Sequence, residues 1–165
     1  MAMEKYGKYI TKGINSDILF PDHQTIGPIR FIAGELFKDS KFKIGFEKIN
    51  HPWIMDPYPL KHFEADQILV FMCSDSADSA DFDAEIEFSL GEEQEKYIIT
   101  KPTMIYVPRG LAHCPLNFKR IGKPVMFVNM IFGNYTRLVF RDNEWKEYKD
   151  IPAERAGTPF EIPKT

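Results

Sequence analysis

The 165-residue chain has little cysteine, little tryptophan and little histidine: two, two and four residues. Two thiols, Cys73 and Cys114, in a chain that opens with no signal-peptide pattern are expected to stay reduced, in the cytoplasm. Apolar runs fall well short of the ~20 residues that a helix needs to cross a bilayer, so no membrane partner is expected. A basic excess is missing too. Lys and Arg number 21 against 24 Asp and Glu, for a net charge of −3, and nucleic-acid binding is therefore not expected.

What is present is aromatic and turn-rich. Fourteen Phe and seven Tyr, with twelve Pro and ten Gly, favour strands joined by turns over a helix bundle. With 44% hydrophobic residues the chain can build a core, and its length suits one domain.

Residues 1–29 carry Tyr6, Tyr9, Ile10, Ile18 and Leu19 without a sustained period and read as an arm packing on the body. His23 falls in the turn Pro21-Asp22-His23-Gln24 and is expected in an exposed loop. A short strand is expected over 30–37. Phe42, Ile44 and Phe46 alternate with Lys43, Gly45 and Glu47, the two-residue period of a half-buried strand, and a Pro-rich connection follows from Asn50. Ile68–Met72 is a continuous apolar strand.

From Ser74 to Glu95 there are nine acidic residues and no Lys or Arg. The Asp-rich part reads as a solvated loop, since it lacks the central Gly of an EF-hand calcium loop. Ala84, Ile86, Phe88 and Leu90 alternate with polar residues, Gly91-Glu92-Glu93 turns the chain, and Tyr97-Ile98-Ile99 returns. Val125–Phe132 is fit for a central strand. Thr136–Phe140 and Trp145–Tyr148 are expected as late strands or a short helix, and 149–165 as an extended tail. At least eight short strands with turns between them predict an all-β sandwich or barrel over 30–148, with few short helices.

The most informative stretch is Ile105-Tyr106-Val107-Pro108-Arg109-Gly110-Leu111-Ala112-His113-Cys114-Pro115-Leu116-Asn117. Pro-Arg-Gly stops an apolar run and reads as a tight turn, with Pro108 presetting one dihedral and Gly110 free to take positive φ. His113 then opens the next strand. Pro108, Gly110, His113 and Asn117 stand at the intervals of the second motif of the cupin superfamily, which this region resembles; the motif's leading Gly falls on Pro102. The family's first motif, His-x-His and then Glu before an apolar strand, is matched in part upstream. Gln67 takes the Glu place, His62 the second His place and Leu60 the first.

The resemblance implies a double-stranded β-helix, or jelly roll, and one divalent transition metal (Fe, Zn, Ni or Mn) held by His62, Gln67 and His113. Imidazole suits such metals, and an amide oxygen is a weaker, uncharged donor in place of a carboxylate. In a second register Glu64, two residues from His62, faces the same way on a strand and supplies the missing charge. Glu64 or Asp66 is then the candidate general base. His51 is a further possible donor. Cys114, next to His113, is expected to point away from the pocket and to pack rather than react. Asn117 is expected to share the face of His113, and either Met104 and Tyr106 or Ile105 and Val107 line the barrel.

Two functions follow. One is a metal-dependent enzyme of dioxygenase, isomerase or lyase type acting on an oxygen-rich small molecule. The other is a non-catalytic small-molecule binder with no metal or a structural one, which the changes at Leu60 and Gln67 favour. A homodimer is expected, with the N-terminal arm covering an edge of the neighbouring copy.

Overall fold

The computed structural model describes residues 41–74, 77–78, 80–134 and 137–147. The arm, His23, the strand expected over 30–37 and the tail lie outside the described residues. Every described element is a strand: β1 (Phe42–Ile49), β2 (Trp53–Asp56), β3 (Leu60–Lys61), β4 (Ala65–Cys73), β5 (Ala84–Leu90), β6 (Glu95–Ile99), β7 (Thr103–Val107), β8 (His113–Ile121), β9 (Val125–Gly133), β10 (Leu138–Arg141) and β11 (Glu144–Glu147). No short helix occurs among the described residues, and the late segments form the β10–β11 hairpin. β2 arises within the Pro-rich connection and β3 just after it; both pair with β8.

The strands form two antiparallel sheets. One has the order β1-β9-β4-β7; the other runs β11-β10-β3-β8-β5-β6, with β2 also on β8. Each inner face follows from the two-residue period of its strands. β4 buries Ala65, Gln67, Leu69 and Phe71, while β5 buries Ala84, Ile86 and Phe88. Between the sheets, Phe71, Phe118 and Phe127 pack as an aromatic trio with ring centroids 5.2–6.2 Å apart. Leu69, Val107, Leu116 and Val125 belong to the same core cluster.

β1 alternates as expected, but the buried set is the other one. Glu47 and Ile49 are buried, and Phe42, Ile44 and Phe46 lie outward. Pairing explains it: Glu47 stands opposite Phe127 and Ile49 opposite Val125, both inward residues of β9. Register with a central strand has overridden the strand's own polarity.

The acidic loop is answered by the turn between β8 and β9. Lys123 pairs with Asp81 and Arg120 with Asp83, both exposed, and Asp78 accepts a bond from the Ala80 amide. Asp81 and Asp83 are thus tied to cations at the end of β8 and in the turn after it. Exposed pairs of this kind contribute little to stability.

Truncation of Phe118, which is fully buried in the trio, is expected to cost about 3–5 kcal/mol. Denaturant unfolding of Phe118→Ala against the wild type checks this.

Candidate functional site

β7 ends at Val107 and β8 begins at His113. Between them Leu111 N donates to Pro108 O at 3.1 Å, closing a β-turn in which Gly110 has φ of +80°. Positive φ at the third position is what a type II turn needs, and Gly meets it without a Cβ clash. Pro108 takes the first position and supplies the carbonyl; it does not preset a central dihedral.

The turn is tied down on both sides. Gly110 N donates to His62 O at 2.7 Å. Arg109 donates to the Asp66 carboxylate from its backbone N and from Nη2, each at 3.0 Å. The guanidinium hydrogen bond holds the Asp66 carboxyl below the usual carboxylate range. Asp66 is thus committed to positioning the turn, which takes it out of contention as a general base.

This end of the sandwich gathers the start of β4, the end of β7 and the start of β8. His113 is 1% exposed and His62 4% exposed, and their ring centroids lie 5.4 Å apart. The ring of Phe88 stands 6.3 Å from that of His113. His113 Nδ1 lies 3.1 Å from Leu111 O. A carbonyl oxygen only accepts, so Nδ1 carries the proton, and in the neutral ring Nε2 holds the lone pair. Burial pushes the imidazole pKa down to about 4, so the ring is neutral at pH 7. Its Nε2 is buried without a hydrogen-bond partner.

Gln67, 5% exposed, points inward from β4 in the facing sheet. Its Nε2 donates to Asn129 Oδ1 at 2.9 Å, which fixes the amide and leaves Oε1 buried without a hydrogen-bond partner. Asn129 went unnoticed in the sequence. Its signal was there: one amide at an inward position in the otherwise apolar run of β9.

Glu64 is not placed with the histidines. The chain bends at residues 63 and 64, between β3 and β4, so His62 and Glu64 do not share a strand face. Glu64 is exposed, and its carboxylate accepts a bond from Asn134 Nδ2 at 3.1 Å. Gly133 holds this corner close. With φ of +126°, it sits where a Cβ would meet the Glu64 carbonyl.

Among the described residues no three His, Cys, Asp or Glu side chains gather into a group able to hold a metal ion.

The remaining candidates sort by position. Leu60 pairs with His113 across β3 and β8 and is buried. His51 Nδ1 bonds the side chain of its neighbour Asn50 at 2.8 Å. Cys114 is buried in the core and not turned away from it, because its φ of +70° and a register shift between Phe88 and Leu90 break the alternation of β8 just after His113. Beyond the break Leu116 and Phe118 face inward, which puts Asn117 on the opposite side from them. Ile105 and Val107 face the interior, whereas Met104 and Tyr106 are exposed. An apolar surface cavity of about 350 Å³, lined by Leu90, Tyr97, Ile98, Ile99 and Ile105 among others, lies at the β6–β7 edge, and neither His62 nor His113 lines it.

Two facing sheets of antiparallel strands with this order make a double-stranded β-helix, and the chain has the cupin fold. Similar solved structures say so directly. A sugar phosphate isomerase of the cupin superfamily from Silicibacter pomeroyi superposes with a TM-score of 0.51 at 10% identity, covering 86% of this chain and 96% of that one. Recombinant oxalate oxidase in complex with glycolate gives a TM-score of 0.50 at 12% identity, over 79% of this chain and 62% of that one. Peruvianin-I, a cysteine peptidase from Thevetia peruviana latex, gives 0.52 at 12%, over 82% and 78%. No family model and no curated protein sequence matches the chain. Three activities on one scaffold leave the function to be argued from the site.

The depressed pKa of His113 makes folding pH-dependent. Below pH 6.5 the unfolded chain takes up a proton that the folded chain refuses until about pH 4. In chelator-treated protein, stability is expected to be complete above pH 6.5 and to fall by up to about 1.4 kcal/mol per pH unit as the pH drops toward 4. Urea unfolding at pH 7 and pH 5 measures this, and His113→Gln is expected to flatten the dependence.

Proposed function

We propose that His62, His113 and Gln67 form a centre for one divalent transition metal, within a cupin-fold protein that binds an oxygen-rich small molecule. The observation that carries the reading is the pair of buried acceptors, His113 Nε2 and Gln67 Oε1, each left without a hydrogen-bond partner by a neighbour that fixes the rest of its group. A buried lone pair with no donor costs stability, commonly about 1–3 kcal/mol, and a cation offsets that cost. Two imidazoles and an amide oxygen suit first-row transition metals.

The chain's own part in the chemistry is positional. Leu111 O sets the His113 tautomer, as the outer partner of a metal-ligating imidazole does. Asn129 aims the Gln67 oxygen. The Pro108–Leu111 turn, bonded to His62 O and to Asp66, fixes the strand ends that carry both histidines. Bound metal would act as a Lewis acid on a chelating oxygen ligand.

Three neutral donors leave the cation's charge uncompensated, which favours an anionic ligand. The reaction types open to such a site are isomerisation, lyase chemistry and dioxygenation. A cysteine-peptidase activity of the kind named for Peruvianin-I gains no support from Cys114, whose thiol is buried and held well above its ordinary pKa by that burial.

The second reading, a binder without catalysis, is favoured by one observation: among the described residues no Asp or Glu joins the two buried histidines in a group able to hold a metal ion.

Protein purified without chelator is expected to carry close to one equivalent of metal by elemental analysis and to lose it in His113→Ala. Substoichiometric metal, unchanged in that variant, would end the metal reading. Gln67→Glu restores a charged donor and is expected to tighten metal binding by about tenfold or more, ~1.4 kcal/mol, in calorimetric titration. Ligand turnover with bound metal would then separate the enzyme from the binder.

A further inference from the structure

Residues 100–102 carry the chain from β6, the last strand of one sheet, to β7, the last strand of the other. Among the described residues no further strand covers either edge. The gap between the sheets opens to solvent on this side, where Tyr97 is 43% exposed and Ile98 52% exposed. The cavity of about 350 Å³ lies in that opening.

Its walls follow from register. Tyr97 and Ile99 pair with Phe88 and Ile86, inward residues of β5, and so face the gap. Ile105 enters from the other sheet, on the inward face of β7. Leu90 closes the end nearest the histidines, since it stands opposite His113 in the β5–β8 register.

Lys101, beyond the far end of β6, is the one charged residue of the lining. Among the described residues its ammonium has no ion-pair partner. Its backbone is held, because Thr103 Oγ1 donates to Lys101 O at 2.8 Å. Glu95 pairs with Leu90 at the opposite end and already accepts the Tyr97 hydroxyl. The cleft is therefore apolar along its length, with an unanswered positive charge at one end.

Its volume falls at the lower end of the ~300–1,000 Å³ typical of small-molecule pockets. At roughly 30 Å³ per water-sized group, it has room for about a dozen non-hydrogen atoms.

We propose that the β6–β7 cleft is a binding site for a small amphipathic carboxylate, its hydrocarbon body on Tyr97, Ile99 and Ile105 and its carboxylate on Lys101. An uncharged apolar ligand would lie against the ammonium without answering its charge, and a cationic one would be repelled. A peptide strand added to the β6 edge would use the backbone and leave the space between the sheets empty. Neither His62 nor His113 lines the cleft, so this site and the metal centre proposed above stand or fall separately.

Calorimetric titration of the full chain with octanoate, which has about ten non-hydrogen atoms, tests it. The wild type is expected to bind one equivalent with a dissociation constant of about 1 mM or tighter. Lys101→Gln removes the charge-assisted contact and is expected to weaken binding by about tenfold or more. Lys101 is exposed, so the circular dichroism of the variant should match that of the wild type. Tyr97→Ser, which strips one wall, is a second variant expected to weaken binding in the same direction. Lys119→Gln, an exposed lysine elsewhere, is expected to leave it unchanged.

Octanoate affinity is expected to be equal in protein purified without chelator and in chelator-treated protein. Binding that requires metal would place the carboxylate at the histidines and overturn the proposal. So would the absence of saturable octanoate binding by the wild type, or an affinity that survives both Lys101→Gln and Tyr97→Ser. Affinity that falls as protein concentration rises would mean that a second copy fills the cleft, and overturns it as well.

Discussion

A buried imidazole with one nitrogen committed to a backbone carbonyl has to account for the other. His113 is in that position, and much of the surrounding structure can be understood from it. Burial keeps the ring neutral, Leu111 O takes the proton on Nδ1, and Nε2 is left as a buried acceptor without a hydrogen-bond partner. From the facing sheet, Gln67 repeats the pattern with an amide, one end held by Asn129 and the oxygen unanswered. Interiors seldom strand two acceptors at one end of a core by accident.

The means of placement are ordinary. A type II turn joins β7 to β8, a backbone hydrogen bond ties it to His62, and an Asp66–Arg109 pair holds it from the outer side. None of these contacts involves an imidazole nitrogen, yet together they set where the two imidazoles sit. Their worth lies in geometry more than in energy, since the ion pair is largely exposed.

Much of this was legible in the sequence because it is written at short range. The Pro108-Arg109-Gly110 turn and the strand after it follow from local pattern, whereas His113 and Gln67 were singled out by the resemblance to the cupin motifs. What escaped depends on partners far along the chain. The buried face of β1 is set by its register on β9, so the apolar set Phe42, Ile44 and Phe46 faces outward and Glu47 inward. Glu64 could be aligned with His62 only by assuming one continuous strand, and a bend separates them. Cys114 and Asn117 were placed by simple alternation, which a positive φ and a bulge interrupt. Asn129 stands out as one amide in an apolar run, but its partnership with Gln67 follows only once β9 is known to lie beside β4.

β4 carries the interior amide on one side and Ile68 and Val70 on the other, with a period of two. An insertion or deletion of a single residue in this strand would turn it inside out, sending Asp66 and Ile68 into the core and Gln67 out among the methionines. Length is therefore more tightly constrained here than the identity of any one side chain. Over evolutionary time the charge buried at position 67 can be retuned by point substitution, but its inward placement cannot be reached or escaped by gaining or losing residues.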